Sequence, residues 1–206
     1  RRRHSLHDAL PICVWNQLVT SISPPPDSVT LEGLDWDDFV RRNTAISTLT
    51  LAGYEERLIY HQDLDTPRVA VDGAFLELQE ERRAMLVVGP PGVGKSFAMA
   101  SFARKRIELG DAVTLVRAAD LEGSSPANQL ALSLGLPLGT KVEDILAKVA
   151  GLPARSGRWW LMVDGLERAS LGAQEWLKAA AHWLRAGTEG DAFRLVLGMR
   201  TATFDA

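Results

Sequence analysis

The octapeptide Gly89-Pro90-Pro91-Gly92-Val93-Gly94-Lys95-Ser96 constrains this chain more than any other stretch, because its flanks leave it one kind of fold. Upstream, Ala84-Met85-Leu86-Val87-Val88 is a short apolar run that reads as a buried parallel strand. Downstream, Phe97 to Leu109 reads as a helix ended by Gly110. Strand, glycine-rich loop and helix in that order begin a parallel α/β arrangement. The loop itself fits the phosphate-binding pattern GxxxxGK(S/T) in full. Its glycines let the backbone fold round an anion, so that N–H groups and the helix N-terminus point at it. Pro90 and Pro91 stiffen the entry. Lys95 is expected to bridge the β- and γ-phosphates of a nucleotide and the Ser96 hydroxyl to coordinate Mg²⁺, with Phe97 closing the nucleotide-binding set.

The alternation continues along the chain. Strands are predicted at 84–89, 112–117, 159–164 and 193–199, with helices near 95–109, 126–134, 142–150 and 173–185 between them. Trp159, Trp160, Trp176 and Trp183 fall on predicted core faces, which favours packing over base stacking. Ahead of the loop, residues 13–35 read as a linker or disordered segment because of Pro24-Pro25-Pro26 and the Ser, Asp and Gly around them. Residues 36–83 read as a helical extension with Trp36, Phe39, Val40, Ile46, Leu49, Leu58 and Ile59 as buried candidates, although Thr44, Thr48 and Thr50 would equally suit a strand. Asp65-Thr66-Pro67 looks like a helix start, with Phe75, Leu76 and Leu78 inward beyond it. The core is expected to run from 84 to 206.

The first residues stand apart. Ser5 to Ile12 resembles a translated sequencing adaptor, so residues 1–12 are expected to be non-native; a cationic targeting peptide opening on Arg1-Arg2-Arg3 is the alternative. A single cysteine, Cys13, excludes an intramolecular disulfide and suits a reducing, cytoplasmic setting. With 23 basic and 26 acidic residues, nucleic-acid binding has no compositional support. No apolar run approaches the roughly 18 residues of a membrane span.

Three further residues carry chemistry. Trp159-Trp160-Leu161-Met162-Val163-Asp164 is an apolar strand ending in an acid, where a carboxylate would lie beside the Mg²⁺ held by Ser96. Glu167, on the same turn, is the candidate base for hydrolysis; a solvated glutamate at a helix start is the other reading. Arg200 follows the strand Arg194–Met199, and a cation at that tip would read the γ-phosphate. The guanine-reading Asn/Thr-Lys-x-Asp pattern is absent, since Thr140-Lys141-Val142-Glu143 fails at its last position, and ATP is favoured over GTP. His61 and His182 have no acid or cysteine at ligand spacing in the sequence.

Together these motifs resemble the AAA+-related branch of P-loop ATPases, and within it the signal-transducing NTPases of the NACHT and NB-ARC type. Asp164-Gly165-Leu166-Glu167 is similar to their Asp-Gly-Leu-Asp-Glu pattern, with Arg168 in place of the final acid. Gly198-Met199-Arg200 resembles their third motif without its threonines, and Asp65-Thr66-Pro67-Arg68 their adenine-contacting entry segment, which would give Arg68 a nucleotide contact. The resemblance implies a three-layer sandwich with sheet order 1-4-3-2 and a fifth strand beyond Ala206. It implies an ATP-driven switch that oligomerises with ATP bound, carrying effector or sensor domains further along. A DNA-linked AAA+ helper and an ATP-sensing scaffold with little hydrolysis are the alternatives.

Overall fold

The computed structural model describes residues 30–61, 69–80, 82–152, 157–186 and 192–204, so the adaptor-like residues 1–12, the expected helix start Asp65–Pro67 and the expected nucleotide contact Arg68 lie outside it. Helix α1 runs Trp36–Glu56 and α2 Val69–Glu80. The alternation then gives β1 (Ala84–Val88), α3 (Lys95–Glu108), β2 (Ala112–Arg117), α4 (Pro126–Ser133), α5 (Val142–Ala150), β3 (Trp159–Asp164), α6 (Ala173–Ala186) and β4 (Phe193–Met199). All strands are parallel, in the order β1-β4-β3-β2. Local chemistry explains several boundaries. Asp35 caps α1 by accepting from the Asp38 N–H at 2.7 Å, and Ser125 caps α4, whose first residue is proline.

Helices cover both faces of the sheet. Trp159, Leu161 and Val163 of β3 pack with α4, α5 and α6, whereas Trp160 and Met162 pack with α2 and α3. Alternation along a strand divides neighbouring tryptophans between two cores, which is why the run reads as apolar throughout. Three indole N–H groups find partners: Trp159 donates to Thr114 Oγ1 at 2.8 Å, Trp160 to Asp111 Oδ2 at 2.8 Å and Trp176 to Gln129 Oε1 at 3.0 Å.

The expected extension is helical over Trp36–Glu56 and Val69–Glu80, and α1 packs against the sheet. Its Trp36 and Phe39 join the first core and its Leu51 and Tyr54 the second, so the helix passes round the β2 edge. Midway, Ser47 Oγ donates to the Val113 carbonyl and accepts from the Leu115 N–H at 2.8 Å. Asn43 accepts from Thr114 Oγ1 and donates to the Phe39 carbonyl at 2.7 Å. Ser47 thus occupies edge groups of β2 that another strand would otherwise pair. The buried stripe is Trp36, Phe39, Asn43, Ser47, Leu51 and Tyr54, while Leu49, Leu58 and Ile59, expected inside, are exposed. Leu76 of α2 is exposed as well. The expected linker also ends early, because Leu31–Gly33 forms a 3-10 turn and Leu34 is buried. At the opposite edge, β1 has no neighbour beyond it among the described residues, and its Leu86 and Val88 are exposed.

Candidate functional site

The ends of parallel strands gather at one rim of the sheet, and the loop residues there share one cleft. It has a volume of about 260 Å³ and is lined by Pro91, Gly92, Lys95, Ser96, Asp164, Glu167 and Arg200 among others. Gly89–Ser96 supplies one wall, bridging β1 and α3. Gly92 and Gly94 hold φ values of 82° and 86°, a left-handed backbone that glycine adopts without strain. The first turn of α3 carries no acidic residue, so the positive end of its dipole is not compensated there. Lys95 Nζ folds back to donate to the carbonyls of Gly89 at 2.7 Å and Pro90 at 2.8 Å.

The opposite wall comes from the tips of β3 and β4. Asp164, buried, is the last residue of β3, and Glu167 lies in the 3-10 turn Leu166–Arg168 that follows. Arg200 follows β4, which lies between β1 and β3, and its Nε pairs with Glu167 Oε1 at 3.0 Å. The second oxygen, Glu167 Oε2, is buried and has no hydrogen-bond partner among the described residues. These two side chains, each read singly from the sequence, form one unit.

Close packing fixes Asp164 as well. A Cβ placed on Gly198 of β4 would stand 2.8 Å from Asp164 Oδ1 and 2.8 Å from Met99 Sδ. Only glycine lets the carboxylate settle against β4. Gly198→Ala is expected to cost about 1–3 kcal/mol of stability through overpacking, read as a lower denaturant midpoint at unchanged slope. An unchanged midpoint would show that Asp164 is not confined there.

Four polar lining residues are not among the sequence-derived candidates: Tyr54, Arg57, Arg117 and Asp120. Tyr54 Oη donates to Asp164 Oδ2 at 2.7 Å, from the last turn of α1. Burial, followed by the charge of Asp164 and its hydrogen bond, pushes the Tyr54 phenol far above its ordinary range, so the hydroxyl stays a proton donor. Arg117 is the register partner of Asp164 and pairs with Asp120 at 2.5 Å; its place at a parallel strand tip was the available clue. Arg57, Lys95, Arg117, Arg168 and Arg200 outnumber Asp120, Asp164 and Glu167 round the cleft, which suits a polyanion.

Other predicted residues stand outside the lining. Phe97 packs its ring 5.1 Å from that of Tyr60, in the second core, and Val93 is exposed. His182 is not isolated, since its Nε2 lies 2.8 Å from Glu143 Oε1. Among the described residues no group of three or more His, Cys, Asp or Glu side chains could hold a metal, and no helix is long and apolar enough to cross a membrane.

The structure therefore defines a parallel α/β protein with a cationic cleft at the strand tips. The chain matches no protein-family model and no curated protein.

Proposed function

We propose that this cleft binds Mg-ATP and hydrolyses it slowly, and that the chain is a P-loop ATPase of the AAA+/STAND type working as a nucleotide-driven switch. One observation carries the reading: Lys95 and Ser96, Asp164 with Glu167, and Arg200 come from three separate strand ends and line one cleft. Hard oxygen donors from Ser96 and Asp164 suit Mg²⁺, an ion that takes one or two protein ligands plus phosphate oxygens and waters in place of a full protein cage. When bound, Mg²⁺ would offset charge on the transferred phosphoryl group.

The chain's own residues supply the remainder. The N–H groups of the Gly89–Ser96 loop and Lys95 would hold the β- and γ-phosphates. Arg200 would exchange part of its pairing with Glu167 for γ-phosphate oxygens, a charge-assisted bond available with ATP and lost with ADP. Glu167, so released, would take a proton from water. The water oxygen bonds to the γ-phosphorus as the bond to the β–γ bridging oxygen breaks, leaving ADP and phosphate. Differential affinity for ATP and ADP would drive the switch and any ATP-dependent self-association.

The Glu167–Arg200 ion pair also favours a second reading, a nucleotide-sensing scaffold with little turnover, because it holds the candidate base in a resting partnership. Calorimetric titration with Mg-ATP, Mg-ADP and Mg-GTP, alongside a phosphate-release assay, tests both. Binding of ATP in preference to GTP is expected, with slow phosphate release. Nucleotide binding without release would select the scaffold, and absence of binding at millimolar ATP would sink both.

A further inference from the structure

We propose that Tyr54 is the positioning residue through which helix α1 controls Mg²⁺ at Asp164, its hydroxyl holding the carboxylate oxygen that a metal-bound water would use and yielding it when Mg-nucleotide binds. This rests on the Mg-nucleotide reading above. Asp164 has two oxygens. Oδ1 packs against Gly198, where no side chain larger than hydrogen fits. That leaves Oδ2, and the Tyr54 hydroxyl holds it at 2.7 Å while the same residue lines the cleft. A phenol that donates to this oxygen and a hydrated cation that donates to it through water compete for the same lone pairs.

The helix is built to carry such a contact. Its middle is tied to the β2 edge through Ser47 and Asn43, which places Tyr54 over the strand tips. The next residue, Glu55, pairs with Arg104 of α3 at 2.6 Å, so one helix end touches both the β3 carboxylate and the helix that begins at Lys95. Just beyond, Leu58 holds a φ of 55° and is 87% exposed. A left-handed leucine costs roughly 1–2 kcal/mol, and the turn holds it by donating from the Ile59 and Tyr60 N–H groups to the Tyr54 carbonyl at 2.8 and 3.3 Å, so the turn closing α1 ends on the residue that reaches Asp164.

The test uses the full chain and Tyr54→Phe, which removes the hydroxyl and keeps the ring in its core. Binding of a fluorescent ATP analogue is measured across a Mg²⁺ series and again in EDTA. One hydrogen bond to a carboxylate predicts a half-saturating Mg²⁺ concentration about ten- to a hundredfold lower in Tyr54→Phe, with unchanged affinity in EDTA. An unchanged or higher Mg²⁺ requirement overturns the proposal, and weaker binding in both conditions assigns Tyr54 to structure alone. Since the chain has only two tyrosines, labelled-tyrosine NMR on the unmutated protein gives a second reading. The Tyr54 ring signal should move with Mg-nucleotide and stay in place with nucleotide in EDTA. Binding that is indifferent to Mg²⁺ in both proteins overturns the Tyr54 assignment and leaves the nucleotide reading intact. No binding of the analogue by the unmutated protein, with or without Mg²⁺, overturns both.

Discussion

Lys95→Ala is expected to lower ATP affinity by about two orders of magnitude or more, because two charge-assisted bonds disappear at about 1.5–3 kcal/mol each. Lys95 donates to the Gly89 and Pro90 carbonyls, so its ammonium already sits within the loop that would surround the phosphates. Exchanging neutral carbonyls for phosphate oxygens needs little movement and gains charge complementarity. The helix dipole and loop N–H groups remain in the variant, yet neither brings a full positive charge to the β–γ bridge. Loss of the two carbonyl bonds should loosen the loop without unfolding the sheet, since Lys95 is only half-buried at the rim. Calorimetry gives the affinity and thermal unfolding gives the control. Retained micromolar binding in Lys95→Ala would remove the phosphate-binding role from Gly89–Ser96, whatever the turnover.

The strands and the glycine-rich loop were legible in the sequence because their causes are local or doubly repeated. Trp159–Val163 is apolar at every position since β3 is covered on both faces, and the run ends at Asp164 where the sheet meets its open rim. What escaped was set by pairing across the fold. Asn43 and Ser47 look like breaks in an apolar helix pattern until β2 presents the Thr114 hydroxyl and the Leu115 N–H for them to bond. A buried set chosen by apolar residue type leaves those two positions out and takes in Leu49, Leu58 and Ile59, which are exposed. Tyr54 and Asp164 lie far apart in the chain, and no spacing rule links a helix tyrosine to a strand-end acid. Likewise the placement of Glu167 and Arg200 at the open rim was readable from strand-end position. Their pairing was not, because it depends on β4 lying beside β3.

Glu167→Gln is expected to reduce phosphate release by about 10²- to 10⁴-fold, the usual contribution of a general base, while leaving ATP binding close to that of the unmutated protein. The geometry argues for this split. Glu167 is held from one side by Arg200, and its other oxygen is buried without a partner among the described residues, an arrangement that is costly unless a ligand or water later uses it. Glutamine keeps the shape and can still accept from Arg200 through its amide oxygen, but it cannot accept a proton from water at neutral pH. A solvated glutamate with no catalytic part would leave phosphate release unchanged, and that result would sink the base assignment. Loss of ATP binding in Glu167→Gln would instead mean that the pair with Arg200 organises the cleft. Steady binding with lost release separates the water-activating carboxylate from the Lys95 contact, whose loss removes binding itself.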